Sequence, residues 1–261
     1  MTRSALMGWF SAALVSSAGI CLGQGQMFAV DSSRALFEID IATGGKTQIG
    51  TVSANAGTTG GLAFDRATGT VYLTSTSLDS LFTLDLSTGE ATLVGFYGDS
   101  SVVMHGLEWD SSTRTLYGVS SHNNGLYNID ITTGFATLIG TSGLSSFSNL
   151  GYNSHTDTMY LTNSGADSFY TVDRATGQTT LIGPLVNSTN PNGLAYNWDN
   201  GVLYMVDNST DNFYWIDTTT GVANVIGFMG SGNLLGLVYV PTPGSLGVIG
   251  LGLLAAARRR R

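Results

Sequence analysis

The sequence predicts an all-β fold, a five-bladed β-propeller of four-stranded blades, from three observations. First, a motif of the form apolar, aromatic, any residue, apolar, Asp, two residues, Thr, Gly occurs five times. Its copies span 36–44, 81–89, 126–134, 169–177 and 213–221. Second, each repeat contains four short β-like segments, and third, no segment has the spacing of an amphipathic helix. The motif recurs roughly every 44 residues. A repeat of this length indicates stacked structural units, none of which can bury its apolar face alone.

The second repeat shows the four predicted strands of one blade. These segments alternate apolar and polar residues and are rich in β-branched and aromatic types. They lie at 61–65, 71–74, 81–85 and 91–95. The connections at 66–69 and 86–89 end in Thr-Gly, which favours tight turns. Four short strands per repeat are typical of a propeller blade.

The order of the segments also predicts how the ring closes. Segments 27–31, 36–40 and 47–50 match the second, third and fourth strands of a blade, with no first strand before them. The missing strand is predicted at the other end, in 235–240. The last strand would then complete the first blade and remove the exposed sheet edges. The propeller is therefore predicted to cover 26–240.

The repeat resembles bacterial surface propellers of the YVTN type, in which a Gly-Leu-Ala inner strand precedes a Tyr-rich second strand. The matching residues are Gly193-Leu194-Ala195, Leu203-Tyr204 and Ile216-Asp217. This resemblance implies the fold and an extracellular setting, and it implies no activity.

Charge and cysteine content exclude several function classes. All 18 acidic residues but only five basic residues lie between Met27 and Val240, which gives this span a formal charge of −13. Such a surface repels phosphate backbones, so nucleic acid is not an expected partner. The single cysteine, Cys21, precedes the predicted propeller. We therefore expect no disulfide, no thiol nucleophile and no cysteine metal site there, and we predict no cofactor.

The N-terminal segment, 1–25, has the layout of a secretory signal peptide. Arg3 precedes an apolar stretch from Ala5 to Leu22, and small and polar residues follow it up to Gln26. A basic start, an apolar middle and a small-residue exit are the features of such a signal. The alternative is a retained membrane anchor.

The C-terminal segment, 241–261, joins a Pro-Thr-Pro sequence, a short apolar stretch and an arginine cluster, and its candidate sorting residues are Pro241, Thr242, Pro243, Arg258, Arg259, Arg260 and Arg261. It resembles the PEP-CTERM sorting signal of exosortase-processed bacterial proteins, although Thr242 stands where that family has Glu. The 13 residues from Ser245 to Ala257 are short for a bilayer span, which needs roughly 20. The four arginines would stay on the cytoplasmic side. The resemblance implies export to the cell surface, an exosortase-type membrane protease as partner and transient inner-membrane contact; a simple tail anchor is the alternative.

Residues present in every repeat are predicted to be structural. The motif aspartates are expected to cap the outer hairpins through backbone N–H groups, with repeated Ca²⁺ sites as the alternative. They are Asp40, Asp85, Asp130, Asp173 and Asp217. Asp65, Asp110, Asn153 and Asn197 are expected to play the same part in the inner turns.

Departures from the repeat are the candidates for function. Glu108 stands where the other inner strands have Ala63, Gly151, Ala195 and Val238, so it must face the central channel or be paired. The ligand-binding candidates are His105, Glu108, His122, Asn163, Asn192 and Asp207. The face where the interblade loops converge is expected to hold every one of these candidates except Glu108. Three further residues are expected there as well: Asp99, Asp167 and Asp211.

Two interpretations of these candidates remain open. His105, Glu108 and Asp207 could ring the channel mouth and bind a sugar or a metal ion, or the polar residues could simply fill a wet pore. The three histidines lack ligand spacing, so a zinc site is not predicted.

The sequence favours an exported, monomeric, non-catalytic binding protein for polysaccharide or another envelope component. The alternative is a glycoside hydrolase or lyase, for which hydrolysis needs two carboxylates roughly 5–10 Å apart. Glu108 and Asp207 are the nominated pair. A third possibility is a sorting cargo without a specific ligand.

Overall fold

The computed structural model describes residues 25–146 and 148–242. These residues form twenty β-strands in five antiparallel sheets of four strands each. The predicted five-bladed propeller is confirmed. The predicted signal peptide, except for Gly25, and the tail from Pro243 onward lie outside the described residues, so both remain predictions. Pro241 and Thr242 follow the last strand directly.

The blades follow one another along the chain. Blade 1 contains β1 (Gln26–Asp31), β2 (Ala35–Ile39), β3 (Lys46–Thr51) and β20 (Leu234–Val240). Blade 2 contains β4 (Thr59–Asp65), β5 (Thr70–Ser75), β6 (Ser80–Leu84) and β7 (Ala91–Phe96). Blade 3 contains β8 (Met104–Asp110), β9 (Thr115–Ser120), β10 (Gly125–Ile129) and β11 (Ala136–Thr141). Blade 4 contains β12 (Ser148–Asn153), β13 (Thr158–Asn163), β14 (Ser168–Val172) and β15 (Thr179–Pro184), and blade 5 contains β16 (Pro191–Asn197), β17 (Val202–Asp207), β18 (Asn212–Ile216) and β19 (Ala223–Phe228).

A one-turn 3₁₀ helix, Ala54–Ala56, connects blades 1 and 2. Within the described part of the chain, no helix has the length and apolar character needed to cross a membrane.

The ring closes as the sequence predicts. The strand order in blade 1 is β20-β1-β2-β3, so the C-terminal strand is the innermost strand of the N-terminal blade. Strands β20 and β1 are antiparallel, with Met27 opposite Tyr239 and Ala29 opposite Leu237.

Blades pack face to face through the inner strands. One leucine per blade occupies the same inner-strand position, and each is at most 2% exposed: Leu62, Leu107, Leu150, Leu194 and Leu237. Leu62 of blade 2 shares an apolar cluster with Phe28 and Val30 of blade 1. Each blade thus buries its apolar face against a neighbour, as the repeat requires.

The Asp-x-x-Thr-Gly turns have the predicted capping geometry. Each aspartate carboxylate accepts the backbone N–H two residues later at 2.7–2.8 Å. The glycine of each turn has a φ between +74° and +81°, a region that favours glycine over other residues. The Asx-cap interpretation of Asp40, Asp85, Asp130, Asp173 and Asp217 is confirmed.

The same turns have a second role that the sequence did not reveal. In four of the five blades, the turn of one blade lies against a glycine in the fourth strand of the preceding blade. A Cβ added to that glycine would overlap a threonine carbonyl oxygen in the turn. The pairs are Gly95 with Thr133, Gly140 with Thr176, Gly183 with Thr220 and Gly227 with Thr43. The outer edges of these blades therefore touch backbone to backbone.

The junction between blades 1 and 2 is built differently. Gly50 meets nothing within 4 Å, and Gly89 lies against the Thr51 backbone instead. Hydrogen bonds from the connecting loop replace the glycine contact: Ser53 N–H donates to the Gly89 carbonyl at 2.9 Å, and the Asn55 side chain donates to the Ala91 carbonyl at 2.8 Å.

We predict that Gly134→Ala destabilises the protein far more than Gly69→Ala. Both residues have positive φ, +78° and +75°, so the backbone strain is matched. A Cβ at Gly134 would overlap the Gly95 carbonyl, whereas one at Gly69 meets nothing within 4 Å. We expect losses in unfolding free energy of about 3 kcal/mol or more and about 1 kcal/mol, respectively, measured by urea denaturation. Equal losses would contradict a tight contact between these blades.

Candidate functional site

A ring of five aromatic side chains surrounds one end of the central channel. Each blade contributes one ring from the same inner-strand position, and each side chain is at most 9% exposed. The residues are Phe64, Trp109, Tyr152, Tyr196 and Tyr239, and all of them line one cavity. We call this ring the aromatic collar and the space inside it the collar cavity.

The inner hairpins, which join the first and second strands of blades 2 to 5, place the collar. In each hairpin, an Asp or Asn directly after the collar residue accepts the backbone N–H two residues later at 2.8–2.9 Å. The predicted turn role of Asp65, Asp110, Asn153 and Asn197 is thus confirmed. The collar residues were not among the predicted site residues. The sequence does contain a sign of them, because an aromatic residue stands immediately before each of these turns.

Hydrogen bonds fix the three collar tyrosines. The Tyr152 hydroxyl donates to Asp157 at 2.6 Å, and the Tyr239 hydroxyl donates to Asp199 at 2.5 Å. The third pair joins the Tyr196 hydroxyl and His155 Nδ1 at 2.7 Å. Since each partner lies in an inner hairpin, the tyrosine rings are held in place before any ligand arrives.

Arg174 ties the hairpins of blades 3 and 4 together next to the collar. Its guanidinium forms ion pairs with Asp110 and Asp157, the latter at 2.9 Å. It also lies 5.4 Å from the centre of the Tyr152 ring. Burial opposes the charge on Arg174, but the two carboxylates outweigh burial and raise its pKa.

Trp198, from the inner hairpin of blade 5, extends across the collar. Its ring stacks on Phe64 at 6.1 Å between centroids and meets Tyr239 edge-on at 5.3 Å. The Arg66 guanidinium lies 5.4 Å from the centre of the Trp198 ring. The Trp198 Nε1 atom is buried and has no hydrogen-bond acceptor among the described residues. A buried donor of this kind favours a ligand that supplies an acceptor.

Glu108 supplies a carboxyl group to the collar cavity. Its oxygens accept the backbone N–H groups of Trp109 at 2.8 Å and Tyr152 at 3.1 Å, so it is held between blades 3 and 4. The side chain is partly exposed to the channel but enclosed by protein. Burial raises its pKa to about 8, although the two N–H groups act in the opposite direction. Glu108 is therefore largely protonated at neutral pH.

The collar cavity is small and mixed in character. Its volume is about 40 Å³, and besides the aromatic rings it is lined by four aliphatic residues, Leu62, Ala195, Leu237 and Val238, and four polar ones, Arg66, Glu108, Ser111 and Ser154. A space of this size holds about two or three water molecules. It can receive one small polar group rather than a whole sugar ring.

The other predicted site residues lie at the opposite end of the inner strands from Glu108. His105 is near the start of β8, where its Nδ1 is 2.8 Å from the Ser121 hydroxyl, and burial lowers its pKa to about 4. Asn163 donates to the Ser145 carbonyl at 2.8 Å. Asn192 donates to the Asn190 carbonyl at 3.1 Å. The structure therefore does not bring His105 and Glu108 together.

The remaining loop residues occupy turns on that same opposite face. Asp99 accepts the Ser101 N–H at 2.8 Å. Asp167 and Asp211 have φ values of +44° and +53° just before the third strands of their blades. His122 lies close enough to Asp79 and His105 to influence their pKa values.

Asp207 is a turn cap that joins two loops. One oxygen accepts the Ser188 hydroxyl and the Thr189 and Asn190 N–H groups at 2.6–2.9 Å. The other accepts from Ser209 and Thr210 at 2.7–3.0 Å. Both Asp207 oxygens are engaged in turn hydrogen bonds, and Glu108 lies toward the other end of the inner strands, so the structure does not bring the nominated Glu108–Asp207 pair together. It likewise does not bring His105, Glu108 and Asp207 into one ring.

Among residues 25–146 and 148–242, no three His, Cys, Asp or Glu side chains cluster so that they could hold a metal ion. The collar cavity, which combines aromatic rings with a carboxyl group and a buried donor, is the candidate site.

The propeller fold is shared with several solved structures of low sequence identity. A nidogen/laminin complex structure aligns with a TM-score of 0.58 and 14% identity, covering 83% of this chain and 98% of that one. A structural genomics protein of unknown function from Bacteroides thetaiotaomicron gives a TM-score of 0.59 and 18% identity, over 78% of this chain and 56% of that one. A structure from a study of the de novo evolutionary emergence of a symmetrical protein gives a TM-score of 0.53 and 19% identity, covering 82% of this chain and 97% of that one.

No protein-family model and no curated protein matches the sequence. At identities this low, the structural similarities show the fold alone.

We predict that Asp207→Asn lowers the unfolding free energy by about 2–3 kcal/mol at pH 7, because a charged acceptor with several donors is lost. Asp217→Asn, at an exposed turn that Asn also caps, should stay within about 0.5 kcal/mol of the wild type. Burial opposes ionisation of Asp207, but hydrogen bonds from Ser188, Thr210 and Asn190 lower its pKa below the usual 3.8. The contribution is therefore present at neutral pH and lost as the pH falls below about 4. Urea denaturation from about pH 3 to pH 7 measures the difference, and a gap that persists in acid would refute this.

We predict that Glu108 makes the protein less stable as the pH rises. The folded-state pKa of about 8 exceeds the ordinary value of 4.5, so the folded state retains a proton that the unfolded state releases. The stability that the retained proton contributes is fully present below about pH 4.5 and is lost as the pH rises through about 8. Relative to Glu108→Gln, the wild type should lose about 2–4 kcal/mol between about pH 5 and pH 9. Glu90→Gln, at an exposed turn, controls for the removal of one negative charge, and parallel curves for the wild type and Glu108→Gln would contradict the prediction.

Proposed function

We propose that this chain is an exported, non-catalytic binding propeller whose ligand is a saccharide of an extracellular polysaccharide or envelope glycan. One observation carries the proposal: a collar of five aromatic rings and Trp198 surround a cavity that contains a carboxyl group. Apolar pockets with a few convergent polar groups are the usual form of a small-ligand site. A sugar ring at the mouth of the cavity would offer a C–H face to Trp198 and one polar substituent to the cavity, so it matches both parts of this surface.

The polar atoms of the site support a saccharide in particular. Trp198 Nε1 is a buried donor without a protein acceptor. A sugar hydroxyl oxygen would accept this hydrogen bond. In its protonated form, the Glu108 carboxyl group has one O–H donor and the acceptor capacity left after the backbone N–H bonds, so it could both donate to and accept from sugar hydroxyl groups.

A single carboxyl group among the described residues that line the collar cavity favours binding over hydrolysis. Glycoside hydrolysis uses two carboxyl groups on either side of the scissile bond. Glu108 is the single carboxylic acid among the described residues that line the collar cavity. The second candidate function is a lyase, which is favoured by one observation: at a pKa of about 8, Glu108 is poised to exchange a proton near neutral pH.

Export rests on the sequence of the two chain ends. The N-terminal signal layout and the PEP-CTERM-like tail support delivery of a monomer to the cell surface by way of an exosortase-type protease. Cell fractionation that finds the chain at the surface only when Arg258–Arg261 are present would support this route. Retention in the cytoplasm would oppose it.

We predict that Trp198→Ala weakens saccharide binding at least tenfold, because the indole ring that extends across the collar is removed together with its free donor. Trp215→Ala is the matched control, since Trp215 is 41% exposed on β18 and outside the collar cavity. Glycan arrays and polysaccharide pull-downs measure binding. An assay for released reducing or unsaturated sugar runs in parallel, and product formation would favour the enzyme. Equal effects of the two tryptophan variants would remove the collar cavity as the site.

A further inference from the structure

Glu108 is an unpaired acid in a place where the fold does not need one. The equivalent residues of the other four inner strands are Ala63, Gly151, Ala195 and Val238, none of which can ionise. Among the described residues, no Lys or Arg forms an ion pair with Glu108. Enclosing a carboxyl group without a cationic partner costs stability. A residue with this cost points to a ligand that supplies the missing charge.

The walls of the cavity are suited to a cation. Aromatic faces attract positive charge, most strongly where the cation is desolvated. Two rings at this site already face a cation: Arg66 lies 5.4 Å from the Trp198 ring centre, and Arg174 lies 5.4 Å from that of Tyr152. One collar ring, Tyr152, and the neighbouring Trp198 therefore each have a cation against them in this protein.

Size and net charge narrow the ligand further. A volume of about 40 Å³ admits a group close to the size of a water molecule, which a primary ammonium is. The span from Met27 to Val240 carries a formal charge of −13. This charge attracts cationic ligands and repels uronic acids.

We propose that the collar cavity binds the primary ammonium group of an amine-bearing sugar, with Glu108 as its carboxylate partner and the aromatic collar around it. The inference rests on the proposed function and names the class of saccharide. The sugar ring itself remains at the mouth of the cavity against Trp198, where a hydroxyl oxygen accepts from Nε1. N-acetylation would remove the charge and add bulk that the cavity does not admit.

Proton exchange should accompany this binding. Glu108 holds a proton at neutral pH in the free protein, and an ammonium group beside it would drive that proton off. The other charged groups near Glu108 are Asp110 on the same strand and Arg66 at the cavity lining. Strands β4, β12, β16 and β20 place no ionisable residue at the positions equivalent to Glu108. At neutral pH, binding should therefore release close to one proton per site.

Isothermal titration calorimetry of the full chain tests the proposal with three ligands. These are a β-1,4-linked glucosamine dimer, its N,N′-diacetylated form, and butylamine as a primary amine without a sugar. Titration at about pH 7 in two buffers of different ionisation enthalpy counts the protons released. We expect the dimer to bind at least tenfold more tightly than both other ligands, with proton release. Glu108→Gln should lose the preference over the diacetylated dimer and the proton release, whereas Glu90→Gln should keep both.

Each outcome decides a separate point. Equal binding of the diacetylated dimer would overturn the ammonium inference and leave saccharide binding standing. Equal binding of butylamine would support the ammonium site and oppose the saccharide function. No binding of any ligand would overturn both. The ligand comparison uses the wild-type chain, so it remains decisive even if Glu108→Gln does not fold.

Discussion

The pairing of β20 with β1 is the interaction on which the remaining structure depends. It turns a row of four blades and three strands into a closed ring. The inner strand of each blade then lies between the inner strands of the two adjacent blades. The collar depends on it directly, because Tyr239 is a residue of β20 and supplies one of its five rings. Without the closing strand, the central channel would have an open side, and Trp198 would lose the ring that it meets edge-on.

The symmetry of the ring separates the residues that stabilise the fold from the residue that makes the central cavity distinctive. Repeated features hold the blades together: the inner leucines at the axis and the Asx-capped turns of all five blades, and the glycine contacts at four of the five outer junctions. Glu108, which has no equivalent in the other blades, lies at the axis, where five nearly equivalent positions converge on a shared space. A single substitution there, such as Glu108, changes the chemistry of the whole cavity, whereas the same substitution at the outer edge would affect one blade.

The architecture could be predicted from the sequence because a repeat states the same information five times. The period, the four segments per unit and the displaced strand 235–240 were enough to place every blade and the closure. The site could not be found in the same way. Glu108, His105 and Asp207 all depart from the repeat pattern, which predicts one shared site, but strand direction puts Glu108 at the other end of the channel from the other two. The collar residues recur in every repeat, and such recurrence predicts a structural role, so the pattern does not single them out as a site. The contacts of Gly95 and Gly140 at the outer edges of the blades could not be predicted from the sequence either, since they depend on how neighbouring blades pack.

The position of the closing strand also determines when the protein can fold. Residues that pair across β1 and β20 are more than 200 residues apart in the chain, so the ring cannot form until almost all of the sequence is present. Contacts of such long range slow folding. Blades 2 to 5 are each formed by consecutive segments of the chain, whereas blade 1 needs both ends of the propeller. The order of strands along the chain therefore makes blade 1 the last blade that can be completed, and the central channel is enclosed only when β20 has paired with β1.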